Sequence, residues 1–251
     1  MHLLSIVIPA YNEAARLPAT LEAVVAYMRR NDPGGFEILV VDDGSTDSTA
    51  FCVEQFGRRE PAVRLLRNPG NRGKGYAVRH GMLEARGDWI LFTDADLSAP
   101  IEELEKLWRT ARDQQAAVAI GSRALNRALI GVHQPWWREW AGRVFNLLMR
   151  LLVGLPFRDT QCGFKLFRRD AAEAVFARQR IDRFGFDVEV LFLAHKLGFK
   201  IVEVPVRWDH AEGTRVSMLR DSLNMFADLL RVRWNWRRGL YRQPASLSGA
   251  R

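Results

Sequence analysis

The chain has 251 residues, 48% of them hydrophobic and 26% charged, which argues against disorder and leaves room for one large α/β domain or two small ones. Its formal charge of +8 suits partners that carry phosphate, whether nucleic acid, a nucleotide or an anionic membrane surface. Two cysteines, Cys52 and Cys162, are too few for a disulfide framework; the start, MHLLSIVIPAYNE, lacks the basic region of a signal peptide; and no uncharged apolar run reaches the roughly 18 residues of a transmembrane helix.

Residues 4–8, LSIVI, form an apolar run closed by Pro9 and predict a buried strand. Over 13–30, Leu17, Leu21, Val24, Val25 and Met28 recur with a helical period until NDPGG breaks it. FEILVVDDGS predicts a second strand ending in acids, followed by a helix over 47–56. VRLLRN is a third strand and GKGYAVRHGMLEA a helix; WILFTDAD is a fourth strand, followed by the helix PIEELEKLWRTARD with Pro100 near its first turn. AVAIGSR is a fifth strand. Alternation of helices with continuously apolar strands predicts an α/β fold, a parallel sheet covered by helices on both faces.

In such sheets ligands bind beyond the carboxyl ends of the strands. Three strands end in PAYNE, DDGS and DAD, and a fourth in GSR. One such cluster alone is equally well a solvated loop. Three acidic strand ends on one edge would repel one another without a cation or a bound ligand between them. The dinucleotide fingerprint G-x-G-x-x-G is absent after the first strand, where PAYNEAARL stands instead. GNRGKGYAVRHG is rich in glycine but lacks the Lys-Ser/Thr pair of a phosphate-binding loop. It reads either as a tight turn or as backbone N–H groups offered, with Lys74, to an anion.

The segments SIVIPAYNEAARL, VVDDGSTDST, NRGKGYAVRHGM and DAD together resemble glycosyltransferase family 2, inverting enzymes of the GT-A fold, in order and spacing. RDTQCGFKLFRRDAA, GFDVEVLFLAHKLGFKIVEVPVRW and EGTRVS resemble the dolichyl-phosphate β-glucosyltransferase branch of that family, so that the likeness spans roughly residues 3–240. The resemblance implies a Rossmann-like, mostly parallel sheet with C-terminal amphipathic helices. It also implies transfer of glucose from UDP-glucose to a polyprenyl or dolichyl phosphate, assisted by Mg²⁺ or Mn²⁺. GDP-mannose as donor, and a non-catalytic nucleotide-sugar-binding protein at a membrane surface, are the alternatives. Nucleic acid is not among the expected partners.

Residue by residue, the resemblance places Pro9, Tyr11 and Glu13 along the nucleotide base and ribose, with Asp42 hydrogen-bonding there and Asp43 orienting its loop. Asp94, Ala95 and Asp96 match the D-x-D element that holds a divalent cation on the donor diphosphate. Two residues apart on a strand share a face, so both carboxylates could meet one ion, and oxygen-only ligation suits Mg²⁺ or Mn²⁺. Arg123 of GSR would approach the phosphates, and Arg215 stands where relatives carry a lysine. Ser98 occupies a place near the metal where several relatives have a glutamine or an acid.

Asp159 aligns with the family's acceptor-side acid. It is a general base, a positioning residue or a helix cap; a lipid phosphate acceptor, already largely dianionic at neutral pH, needs little deprotonation. Lys165, with Arg123, is the candidate for gripping the acceptor phosphate. Asp187 and Glu189 of FDVE stand in a helical first turn, where they favour the helix dipole or pair with basic residues near the site.

Over 136–153, Trp137, Trp140, Val144, Leu148 and Leu151 fall on one helical face. From 218 to 238, Leu219, Leu223, Phe226, Leu230 and Trp234 do the same, opposed by Arg220, Asn224, Asp228, Arg231 and Asn235. These stripes either pack on a domain core or lie in a membrane interface. The expected organisation is a catalytic domain over 1–217, with a donor half to about 124 and an acceptor half beyond it. A basic amphipathic helix over 218–242 and a disordered tail over 243–251 follow. The 124–136 segment reads as a mobile loop near the acceptor entrance. The expected location is cytoplasmic, peripheral at the cytosolic face of a membrane.

Overall fold

A computed structural model of the chain describes residues 3–31, 35–132, 152–209 and 218–242. Arg215, the tail over 243–251 and nearly all of the predicted helix over 136–153 lie outside the described residues. The first half alternates as expected: β1 (Leu4–Ala10), α1 (Leu17–Asn31), β2 (Phe36–Asp42), α2 (Thr49–Arg59), β3 (Val63–Arg67), α3 (Lys74–Glu84), β4 (Trp89–Thr93), α4 (Leu104–Asp113) and β5 (Val118–Ser122). The second half holds β6 (Ile130–Val132), β7 (Phe164–Arg168), α5 (Arg169–Phe176), α6 (Phe186–Lys196), β8 (Ile201–Pro205), β9 (Trp208–Asp209) and α7 (Met218–Arg237). None of the described helices is long and apolar enough to cross a membrane.

Seven strands form one sheet in the order β3-β2-β1-β4-β7-β5-β8, parallel except for β7, which runs antiparallel to both neighbours. The exception has a geometric cause. β5 ends on the carboxyl edge of the sheet at Ser122, and the chain next re-enters the sheet from that edge at Phe164, so β7 must run back toward the other side. The loop before β7, residues 159–163, thereby lies at the same edge as the ends of β1, β2 and β4.

Both faces of the sheet are covered, because successive strand residues point to opposite sides and both sets are apolar. Val7, Val41, Phe92, Ile120 and Phe167 pack with α3, α5 and α6; Ile6, Ile8, Val40, Leu91 and Leu166 pack with α1 and α4. β1 continues through Pro9 to Ala10, two residues past the expected end. Its pairing with β4 stops at Val7, so the missing Pro9 N–H costs no ladder bond on that side. The segment after β5, expected to be a loop, contains β6, which pairs with β9 in a separate two-stranded sheet.

In α7 the described side chains decide between the two readings of the stripe. Leu229 and Val232 are fully buried in the core shared with α6, and Asp228 and Asn235 are buried beside them. Phe226, Leu230 and Trp234 are 39%, 49% and 55% exposed. For these three members of the stripe, packing on the domain core is therefore the reading that their exposure contradicts. The reason is local. Gly185 at the start of α6 has no side chain, and Asp228 fills that place so closely that a Cβ on Gly185 would lie 2.5 Å from it.

Candidate active site

The carboxyl ends of β1 and β4 are adjacent, and the strand order reverses between them, which opens the crevice where such folds bind ligands. The loops after β1 and β2 are clipped together there. Asn12, in the left-handed region at φ 55°, accepts hydrogen bonds on Oδ1 from the Thr46 N–H (2.7 Å) and the Asp47 N–H, and its own N–H donates to Ser45 Oγ (2.8 Å). The Glu13 N–H donates to Thr49 Oγ1 at 2.8 Å. Pro9, Tyr11 and Glu13 line this part half-buried, with Asp42 buried at the end of β2.

Asp43 faces away from the crevice into the next loop. Its Oδ1 accepts from Asn68 Nδ2 (2.8 Å) and the Arg72 N–H (3.0 Å), and its Oδ2 accepts from the Gly73 N–H (2.7 Å). Gly44 makes this approach possible: a Cβ there would lie 2.5 Å from the Gly70 backbone. The glycine-rich stretch is accordingly not an open anion cradle, because the N–H groups of Arg72, Gly73 and Tyr76 are bonded to Asp43 and to the Asp182 carbonyl. What it presents to the crevice is the side chain of Lys74.

Asp94, Ala95 and Asp96 follow the end of β4 in a turn rather than on the strand itself. The Asp94 N–H donates to the Gly163 carbonyl, its carbonyl accepts from the Leu97 N–H, and Leu97 takes a positive φ of 46°. The Ala95 carbonyl is fixed by Thr20 Oγ1 at 2.6 Å, and Asp96 Oδ1 accepts from the Ser98 N–H at 3.0 Å. Lys74 Nζ lies 2.6 Å from Asp94 Oδ1. Burial works against the charge on Lys74, but Asp94, Asp187 and Asp96 together outweigh it and raise its pKa.

On the β7 side Gly163 backs Asp94 so tightly that a Cβ would sit 2.0 Å from Asp94 Oδ2. Below this contact Lys165, fully buried, donates to the Cys162 carbonyl (2.6 Å) and to Asp187 Oδ1 (2.5 Å). Its expected grip on an acceptor phosphate is therefore corrected: the ammonium is inside the protein and already held by Asp187. Asp187 thus pairs with a basic residue at the site, the alternative to a plain dipole role. Burial raises its pKa despite the attraction of Lys165 and Lys74.

Asp159 and Arg123 form a two-pronged pair, Nε to Oδ2 at 2.7 Å and Nη2 to Oδ1 at 2.9 Å, reinforced by the Arg123 N–H to Oδ2 at 3.0 Å. Although burial pushes the Asp159 carboxyl up, Arg123 outweighs it and holds the pKa at about 2. The Arg123 guanidinium also stacks 5.3 Å from the Trp208 ring centre. Glu203, which the sequence reading did not single out, accepts from the Arg158 and Asp159 N–H groups and fixes this loop. Asn12, Gly163 and Glu203 stand inside the quoted segments, but their contacts reach across 33 to 69 residues of sequence, and no local pattern marks their partners.

Two carboxylates stand at the tip of β4, with hard oxygen donors and an attracted cation, Lys74, beside them. That donor set fits Mg²⁺ or Mn²⁺, provided substrate phosphates and water complete the shell. No group of three or more candidate ligands occurs among the described residues.

Residues 5–176 match the family model described as glycosyl transferase family 2. The dolichyl-phosphate beta-glucosyltransferase of Homo sapiens is 36% identical over 95% of this chain and 77% of its own length; that of Drosophila melanogaster is 38% identical over 91% and 74%. In fold the chain is similar to glucosyl-3-phosphoglycerate synthase from Mycobacterium tuberculosis, solved with Mn²⁺ and UDP (TM-score 0.67, 19% identity, 92% of this chain and 80% of that one). Mannosyl-3-phosphoglycerate synthase from Rubrobacter xylanophilus is likewise similar (TM-score 0.63, 20% identity, 99% and 79%). With its GT-A-like sheet and its acidic strand tip, the chain belongs to glycosyl transferase family 2 and is a glycosyltransferase.

Proposed function

We propose that the chain transfers glucose from UDP-glucose to a dolichyl or polyprenyl phosphate with inversion, forming a β-linked lipid-phosphate sugar and UDP, with Mg²⁺ or Mn²⁺ bound at Asp94 and Asp96. The observation that carries the site is the cluster of Asp94, Asp96 and Lys74 at the switch point of the sheet. The choice of sugar and acceptor is supported by relatives 34–38% identical that are named dolichyl-phosphate beta-glucosyltransferase. The bound ion would neutralise charge on the departing diphosphate.

The chain's own residues supply the rest. Pro9, Tyr11 and Glu13 line the base and ribose, Asp42 bonds there, and Asp43 holds the loop that carries Lys74. Lys74 is placed to meet the diphosphate once Asp94 is shared with a cation. An acceptor phosphate oxygen forms the new bond to the anomeric carbon as the bond to the UDP oxygen breaks. Because the phosphate is largely dianionic at neutral pH, no strong base is required. Asp159, locked on Arg123 with a pKa of about 2, acts in this reading by positioning Arg123 toward the phosphates. Arg215 is assigned to the same diphosphate through the resemblance alone.

The exposed row of Phe226, Leu230 and Trp234 supports peripheral attachment through 218–238, in company with 136–153, at the cytosolic face of a membrane. The decisive experiment compares label transfer from UDP-glucose and from GDP-mannose to polyprenyl phosphate, with and without EDTA. Transfer from UDP-glucose that EDTA abolishes is expected; label entering lipid only from GDP-mannose would overturn the donor.

A further inference from the structure

At the far end of α6 from the site, a second cluster of cations surrounds a cavity. Asp187 stands in the first turn of α6 and Lys196 in its last, about 14 Å further along the axis. There the Phe192 and Trp236 rings meet edge to face with centres 5.5 Å apart. Lys196 Nζ lies 5.6 Å from the first ring and 5.9 Å from the second. With Arg233, Arg237 and Val153, these residues line a cavity of about 380 Å³. Arg233 is braced from one side, donating from Nη1 to the Leu152 carbonyl at 2.6 Å. No acid among the described residues pairs with Lys196, Arg233 or Arg237. The negative ends of the two helices account for Lys196 and Arg237, which stand in last turns, but not for Arg233, one turn inside α7.

The neighbourhood indicates what an anion here would be attached to. At about 3.6 residues per turn, Arg233 and Arg237 lie between Trp236, which faces the cavity, and the exposed row of Phe226, Leu230 and Trp234. A cationic pocket rimmed by indole beside an apolar ridge matches the layering of a bilayer surface, headgroup above acyl chain. We infer that this cavity binds the phosphate-bearing headgroup of an anionic phospholipid, separately from the acceptor lipid. The inference rests on the peripheral attachment proposed above and adds a defined headgroup site to it. It would fix the rotation of α7 on the membrane, so that the crevice at the other end of α6 meets the acceptor phosphate in one orientation.

The test uses the full chain and vesicles of phosphatidylcholine, alone or mixed with phosphatidylglycerol. Lys196→Gln with Arg237→Gln removes two charges from the pocket; Arg231→Gln with Arg238→Gln removes two outside it, one from α7 and one from the turn that follows. Thermal melting and transfer to a short, water-soluble prenyl phosphate without vesicles show that both pairs remain folded and active. Expected is binding to the mixed vesicles that falls roughly tenfold or more in the pocket pair and clearly less in the control pair. Equal losses in both pairs would reduce the attraction to diffuse charge and overturn the pocket while leaving the attachment standing. Unchanged binding in the pocket pair would overturn it as well. Displacement from the vesicles by millimolar inorganic phosphate, which salt of equal ionic strength fails to reproduce, would assign the cavity to free phosphate instead. Wild-type protein that ignores both kinds of vesicle would overturn the attachment and the pocket together, whereas absent transfer with the expected vesicle binding would overturn only the proposed reaction.

Discussion

Asp94 is held from three sides: by Lys74 at 2.6 Å, by the Gly163 carbonyl on its N–H, and by the bare backbone of Gly163 against its carboxylate. Because these contacts fix the side chain without burying it, Asp94→Asn and Asp96→Asn are expected to lower turnover by about a hundredfold or more while the thermal melt stays near wild type. Near-normal rates in either variant would remove that residue from the metal. Asp159→Asn should cost less, and the pH–rate profile between pH 6 and 8 should keep its shape, because a group with a pKa of about 2 does not titrate there. Loss of the acid-side limb of that profile would instead make Asp159 the base. Lys165→Met strips the buried partner from Asp187, and breaking such a pair costs about 3–5 kcal/mol. Urea unfolding should register that loss, and adding Asp187→Asn should return part of it.

At the scale of elements, α6 ties the crevice to α7. Its buried Glu189 accepts from the Arg180 and Ile181 N–H groups and from Tyr241 Oη at 2.6 Å, joining the helix to the loop before it and to the turn after α7. Burial pushes the Glu189 carboxyl up to about 7, against the pull of those donors. A raised carboxyl keeps its proton in the folded chain where the unfolded chain has released it. Its contribution is therefore complete below the ordinary value of 4.5 and lost as pH rises through about 7. Wild-type stability should fall over that window on the order of 2–3 kcal/mol relative to Glu189→Gln, whose side chain cannot ionise. Parallel melting curves from pH 5 to 8 would refute this. The inward face of α7 has the same origin: Asp228 and Asn235 turn inward because Gly185 and the Tyr241 hydroxyl receive them.

Across the whole molecule, the proposed donor crevice, the pair Arg123–Asp159 proposed for the acceptor side and the exposed row on α7 border one arrangement of sheet and helices. If α7 docks on lipid, Trp234→Ala with Leu230→Ala should weaken vesicle binding roughly tenfold while transfer to a short soluble acceptor is kept, since neither side chain contributes to the core. Flotation with and without vesicles measures this directly; unaltered flotation would move the attachment elsewhere. The sequence by itself determined the α/β alternation, the carboxyl-edge location of the acids and the family, because each depends on periodicity or short motifs within a few residues. Tertiary structure decided the rest. β7 runs antiparallel because the chain re-enters at the carboxyl edge, Asp159 is neutralised by Arg123, and Lys165 is sealed under Asp94 by Asp187. Phe226, Leu230 and Trp234 of α7 face outward, a choice its helical pattern left open. Periodicity records that a helix has an apolar side; only the neighbours that close over it, here Gly185 and Tyr241, decide which side is buried.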